Sequence, residues 1–348
     1  MLLPMKNALI LPIVRLFQKF IPINPPANRI LIVSTTALGD TLWASPAIEN
    51  LRRTFPDAYL ALLTRPIGLE LFRHHPHLNR IHLLGKMLPL WKELRKERYD
   101  TVLLFHASQR PALPLCSLIG ARRIIATSGV NKGLDPLLTH SLDNFSKHEI
   151  VRRLEIAEAI GAKRHTENLS LSLLDSERLP KRKERWIALH PGAKDAFKRW
   201  PASHFIELGR RLKEETGCEI LITGNPEEKL LTEQIASQIP GAHLYEAGTS
   251  LRSFAALLER MDLLISNDTG PVHLACALNR PVIALYAATN PQLCGPLAAP
   301  RALAIAKPPT CSPCLKKRCR EPFCLLQISP SEVLAAAQSL LSQNPSNS

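Results

Sequence analysis

The chain has 348 residues, 45% of them hydrophobic, enough for about two domains with cores of their own. Its formal net charge of +14 points to an anionic partner: nucleic acid, anionic lipid or a phosphorylated substrate. Aromatic residues make up only 5%, and no basic–aromatic run offers the stacking platform that single-stranded nucleic acid needs, which argues against the first of these.

Residues 1–28 form an apolar, basic extension. Its run 9–20 is interrupted by Pro12 and Arg15 and is too short to span a bilayer. No small-residue cleavage site follows, so an export signal is not expected. A helix lying in a membrane interface and a helix packed on the protein both fit. No later stretch reads as transmembrane, and without an export signal the eight cysteines are expected as reduced thiols in the cytoplasm.

From residue 29 strands and helices alternate. Strands are predicted over 30–33, 59–63, 81–84, 101–105 and 123–126. Helices are predicted over 42–54, where Trp43, Ala47 and Leu51 share a face, and over 69–74 and 88–96. The segment 129–147 is less regular, 148–160 reads as a helix ending at Gly161, and 169–173 reads as a short strand. A charged run, 176–185, serves as a linker. The pattern then restarts, with strands over 186–189, 219–223, 263–265 and 281–286 and helices over 204–215, 228–239, 253–259 and 272–278. Ser329-Pro330-Ser331-Glu332 is a capping box that opens a last helix to about 341, and the tail 342–348 is expected to fray. The fold class expected is α/β: two Rossmann-like, doubly wound domains (29–175 and 186–348) facing across a cleft.

In such sheets ligands lie at the carboxyl ends of the strands, so the loops there carry the candidates. The loop 34–41 offers Gly39 for a tight turn and Asp40 at the start of the next helix, where it acts on a ligand or caps the helix. It lacks the full G-x-G-x-x-G of a dinucleotide site. The loop 190–201 carries Lys194, Lys198 and Arg199 within six residues, a candidate anion site, beside Gly192. The loop 223–228 ends in Glu227 and Glu228. A carboxylate there can accept both hydroxyls of a ribose, or can simply stabilise the first turn of a helix. The run 266–275 is a strand end, a polar turn through Asp268 and Thr269, and a helix opening at Gly270-Pro271. That arrangement aims free backbone N–H groups at an anion. No Asp-x-Asp occurs, which argues against a metal-bridged diphosphate site.

Taken together, these blocks resemble glycosyltransferase family 9, the ADP-heptose:lipopolysaccharide heptosyltransferases. The matching blocks are Ala37-Leu38-Gly39-Asp40 with Pro46-Ala47 and Phe55-Pro56, then His190-Pro191-Gly192 with Lys198-Arg199-Trp200-Pro201, then Gly224-Asn225-Pro226-Glu227-Glu228, then Asn267 through His273. They cover roughly residues 29–342. The chain departs from the family in having Tyr286-Ala287-Ala288-Thr289-Asn290-Pro291 where F-G-P-T-x-P is common. The resemblance implies a GT-B fold and inverting transfer of heptose from ADP-heptose, with no cofactor and no metal. It implies that Asp40 is the catalytic base, Lys198 binds phosphate, and Glu228 or Glu227 binds ribose. It places Asp268, Thr269, Gly270 and His273 in the donor loop, with Gly192 beside it. The acceptor implied is the anionic, lipid-anchored core of lipopolysaccharide, which puts the enzyme in the cytoplasm, peripheral on the inner membrane, with no nucleic-acid partner. Another nucleotide sugar as donor, or a basic nucleic-acid-binding protein, are the rival readings.

Cys311, Cys314, Cys319 and Cys324 have C-x₂-C-x₄-C-x₄-C spacing. Four thiolates so spaced can hold zinc or an iron–sulfur cluster; free thiols or a redox pair are the alternative.

Overall fold

The structure is a computed structural model that describes residues 5–106, 112–245, 250–311, 314, 319 and 323–343, with side chains from residue 9 onward. Residues 344–348, the end of the tail expected to fray, lie outside these. The chain divides into two compact units, Met1–Glu167 and Asn168–Ser348.

The first unit is built on six strands: β1 (Arg29–Ser34), β2 (Tyr59–Thr64), β3 (Arg80–Leu83), β4 (Thr101–Leu104), β5 (Arg123–Thr127) and β6 (His140–Leu142). They are all parallel, in the order β3-β2-β1-β4-β5-β6. The central strands read as near-continuous apolar runs because helices cover both faces, and β1 and β4 are buried along almost their whole length. Leu31, Val33, Val102 and Leu104 pack with Leu90 and Leu94 of the helix Met87–Lys96 and with Leu113 and Cys116 of the helix Ala112–Ser117.

The second unit repeats the layout. Its strands are β7 (Trp186–His190), β8 (Glu219–Ile222), β9 (His243–Leu244), β10 (Leu263–Asn267), β11 (Val282–Tyr286) and β12 (Ala302–Ala306). All are parallel, in the order β12-β11-β10-β7-β8-β9. Counted from its own first strand, this is the strand order of the first unit. Each sheet therefore reverses direction at one point, between β1 and β4 and between β7 and β10. The helix Ala202–Thr216 closes on Gly217 at φ 66°, the left-handed conformation that glycine adopts without strain. The last helix, Pro330–Ser342, starts as expected, with Ser329 Oγ accepting from Glu332 N at 3.2 Å.

Three expectations are corrected. The helix predicted over 42–54 is two helices, Leu38–Leu42 and Ser45–Thr54. Pro46 stands in the first turn of the second and forbids a continuous run through it. Asp40 is consequently inside a five-residue helix whose N-cap is Ala37, and no side-chain cap is made, so Asp40 does not cap that helix. The strand predicted over 169–173 is irregular backbone. Finally, residues 168–179, assigned to the first domain and the linker, are fastened to the second unit. Leu171 N donates to Ala277 O at 3.2 Å, the buried Arg252 forks onto Glu177 and bonds Ser172 O, Arg178 pairs with Glu259, and Arg260 bonds Leu179 O. The charges that suggested a solvated linker are partly spent on these pairs.

Candidate functional site

In the second unit the loops after β7 and β10 meet where the sheet reverses. Asn267, the last residue of β10, joins them. Its Nδ2 donates to Pro191 O at 2.8 Å, and its Oδ1 accepts from Trp200 N at 3.0 Å. Trp200 is buried and anchored by Nε1 to Ile328 O at 2.9 Å, which fixes the far end of the loop. Between these anchors Lys198, ending a 3₁₀ turn, points Nζ at Asp268 Oδ2, 2.5 Å away. Lys194, in the same loop, is exposed and has no ion pair among the described residues. Asp268 thus selects one cation from three and holds it at the opening of the helix Gly270–Ala277.

That helix begins without a side-chain cap. The hydroxyl of Thr269 turns instead to Ser266 Oγ (3.0 Å) and Asn267 O (3.1 Å). First-turn amides that no side chain covers are suited to an anion. His273, one turn in, is buried. Tyr286, at the end of β11, is buried as well, and its hydroxyl is pushed to higher pKa by burial first and by the charge of Asp268 second.

The loop after β8 completes the group. Asn225 and Glu228 form a reciprocal cap: Glu228 N donates to Asn225 Oδ1 and Asn225 N to Glu228 Oε2, each at 3.0 Å. This turns Glu228 inward while Glu227 stays exposed. The carboxylate of Glu228 lies against Gly192: a β-carbon built on that glycine would sit 2.1–2.3 Å from its carboxylate atoms. Gly192 is therefore a glycine for lack of space. Behind it His190, buried and 3.0 Å from Thr223 Oγ1, has its pKa lowered by burial to about 4 and is neutral at pH 7. Gly192, Lys198, Glu228, Asp268, Thr269 and Gly270 are thus brought to one place, as a carboxylate and an ammonium flanking a helix start.

In the first unit Asp40, half-buried, follows β1 on the short helix Leu38–Leu42. His106 follows β4, the adjacent strand at the reversal. Burial lowers its pKa to about 4 even though the charge of Asp40 works to raise it. Next to this pair stands the start of the helix Glu149–Glu158, N-capped by His148, whose Nδ1 accepts from Ile150 N at 3.1 Å. Glu149 is gripped by Arg152 and Arg153, each 2.6 Å from one of its oxygens. Burial tends to raise the pKa of Glu149, but the two guanidiniums outweigh it and hold the carboxyl low. Both arginines are buried, and Arg153 stacks over Trp43 at 5.2 Å. Arg152 Nε and Arg153 Nε and Nη2 have no hydrogen-bond partner among the described residues. Two buried cations sharing one carboxylate leave a net positive field beside Asp40. His106, Glu149, Arg152 and Arg153 carry no motif in the sequence; the pairing of β1 with β4 brings His106 to Asp40, and the packing of the helix Glu149–Glu158 on the helix Ser45–Thr54 and on β4 and β5 brings the other three.

Of the four clustered cysteines, Cys324 is buried and Cys311, Cys314 and Cys319 are half-exposed. No group of three or more metal-ligating side chains is assembled among the described residues.

Comparison with known proteins joins these observations. Residues 87–324 match the family described as glycosyltransferase family 9 (heptosyltransferase). The chain is 25% identical over 329 residues to lipooligosaccharide heptosyltransferase 2 of Campylobacter jejuni, covering 90% of this chain and 98% of that one. Its fold is similar to the crystal structure of a family 9 glycosyl transferase from Veillonella parvula (TM-score 0.76, 21% identity, 91% of this chain and 97% of that one). It is also similar to ADP-heptose lipopolysaccharide heptosyltransferase II of Escherichia coli (TM-score 0.73, 22% identity, 90% and 99%).

Proposed function

Because the chain belongs to glycosyltransferase family 9, the heptosyltransferases, we propose that it transfers a heptose from ADP-heptose to the inner core of lipopolysaccharide, or to a heptose of the growing core. The observation that carries this reading is the pairing of two unlike groups at the reversal of the second sheet. The buried carboxylate of Glu228, held against Gly192, suits a ribose diol. Lys198, aimed by Asp268 at an uncapped helix start, suits a diphosphate.

In the proposed reaction the carboxylate of Asp40 takes the proton of an acceptor hydroxyl. The hydroxyl oxygen forms a bond to the anomeric carbon from the face opposite ADP. The bond from that carbon to the diphosphate oxygen breaks and ADP leaves, so the anomeric configuration inverts. General-base help of this kind is worth about 10²–10⁴ in rate. The charge that develops on the diphosphate is met by Lys198 and by the amides at Gly270, which do the work a metal ion does elsewhere. The positive field around Arg152 and Arg153 favours an anionic acceptor in the first unit. Such an acceptor is lipid-anchored, which sets the reaction at the cytoplasmic face of the inner membrane, with the enzyme bound peripherally.

The test is a panel of nucleotide sugars offered with heptose-free and partly built core acceptors, with products weighed by mass spectrometry. Addition of one heptose from ADP-heptose, with EDTA present, is the expected result. Transfer from a different nucleotide sugar in preference to ADP-heptose would refute the proposed donor, and activity abolished by EDTA and restored by magnesium or manganese would refute the metal-free step.

A further inference from the structure

The N-terminal helix Met5–Gln18 is fixed to the first unit by one side only. Val14 is buried in the core of that unit, with Ile10 and Leu11 packed beside it. Gln18 Nε2 donates to Ser117 O at 3.2 Å, and Arg15 Nη2 to Pro136 O at 3.3 Å. The segment that follows is held too: Asn24 N donates to Gly120 O at 2.8 Å and Arg95 Nη1 to Pro22 O at 3.0 Å. The helix is therefore part of the surface, and what its other side presents is fixed in place.

That other side is apolar. Leu9, Ile13, Leu16, Phe17, Phe20 and Ile23 are each between 54% and 76% exposed. At 3.6 residues per turn, positions 9, 13, 16 and 17 fall within an arc of roughly 100°, and Phe20 and Ile23 follow in the turn and extended segment after the helix. Large apolar side chains exposed singly are ordinary, but a contiguous group on one fixed helix marks a surface that binds something. Within the segment itself the charge has one sign: Arg15 and Lys19, both exposed, lie along one edge of the arc, and no Asp or Glu occurs before Asp40.

We propose that this face is a docking surface for an anionic lipid bilayer, seating the helix in the interface with its axis along the membrane plane. An apolar arc with cations at its edge is the composition such helices use. The occupant is chosen by charge. In a two-fold pairing of copies the same patch meets itself, so Arg15 and Lys19 would be brought against their own like charges, whereas anionic headgroups neutralise them. No helix among the described residues is long and apolar enough to cross a membrane, so the attachment is to its surface. The proposal rests on the reading above in one respect, that the acceptor is lipid-anchored. A docking face on the first unit then holds the unit that carries Asp40 against the layer from which that acceptor projects.

The experiment is co-sedimentation of the full chain with phosphatidylcholine vesicles, with and without phosphatidylglycerol. The wild-type protein is expected to bind the anionic vesicles, and less so as salt is raised. Ile13→Ser with Phe17→Ser should lower partitioning on the order of 100-fold, since each side chain withdrawn from water is worth about tenfold. Arg15→Gln with Lys19→Gln should lower it on the order of 10-fold on anionic vesicles and leave neutral ones unaffected. All four side chains are exposed and only Arg15 gives up a bond, the one to Pro136 O, so melting temperatures should change little, and ADP affinity and transfer to a soluble, deacylated acceptor should be retained. Wild-type vesicle binding by Ile13→Ser/Phe17→Ser would overturn the proposal. So would a wild-type protein that ignores vesicles but forms a dimer that this variant abolishes, because the occupant would then be a second copy. Failure of the wild-type protein to transfer heptose at all, with vesicle binding intact, would count against the enzymatic reading and leave the docking surface standing.

Discussion

Replacing Gly192 by alanine tests the donor site through its tightest contact. The added methyl would meet the carboxylate of Glu228 at 2.1 Å, against about 3.4 Å for an ordinary contact, so the carboxylate has to retreat by more than 1 Å. The neighbour in question is the end of a side chain, so the fold can yield. What is lost is the bond from Asn225 N to Glu228 Oε2, worth about 0.5–1.5 kcal/mol of stability, and the position of the carboxylate at the ligand. A misplaced acceptor for a ribose diol costs about 1–3 kcal/mol, which is roughly 5- to 150-fold in ADP affinity. Calorimetry with ADP measures this directly. The double variant Gly192→Ala/Glu228→Ala supplies the control, because with the carboxylate gone the methyl has nothing to displace. Its affinity should equal that of Glu228→Ala alone. Wild-type ADP affinity in Gly192→Ala, or losses that simply add in the double variant, would refute the reasoning.

Lys198→Ala should lower turnover by roughly 10²-fold, as loss of a charge-stabilising donor does, and Lys194→Ala far less, because only Lys198 is held by Asp268; equal losses would remove the distinction. Asp40→Asn should keep its melting temperature and ADP affinity while turnover falls by about 10²-fold or more, and near-full turnover would leave the mechanism without its base. Stability should fall on acidification. His75 and His190 are buried with pKa values of about 4, against an ordinary 6.5, so between these values the unfolded chain binds more protons than the folded one. Their contribution is complete above pH 6.5 and is lost as pH falls toward 4, about 2 kcal/mol for each imidazole between pH 7 and 5. Urea midpoints that do not move over that interval would contradict it, and His190→Gln should reduce the loss in the second unit.

The buried strands were legible because a parallel strand covered on both faces must be an apolar run. The strands that the sequence did not reveal lie at sheet edges or toward them: β9 is two exposed residues, β6 is mostly exposed, and β12 is alanine-rich and half-buried. An edge strand buries little, so no pattern of burial is written into it. Pro46 did signal a helix start, but the apolar spacing of Trp43, Ala47 and Leu51 continues across the break and conceals it. At the proposed donor site the residue types were readable, and only the resemblance put Glu228 before Glu227, since the two are equivalent as letters; the cap through Asn225 turns Glu228 inward and leaves Glu227 in water.

The two sheets share a strand order yet gather different side chains, and the reason is local. Each reversal gathers the loops after two adjacent strands, β1 and β4 in one unit and β7 and β10 in the other. In the second unit both loops bear groups suited to a nucleotide diphosphate. In the first they bear Asp40 and a histidine that burial keeps neutral, backed by two arginines around one glutamate. His106 carries no charge at pH 7, so it adds nothing to the positive field that Arg152 and Arg153 supply. A positive field there favours an anionic acceptor. Glu149 offsets part of that field by pairing with both guanidiniums. Substituting it with glutamine would leave both guanidiniums uncompensated beside Asp40.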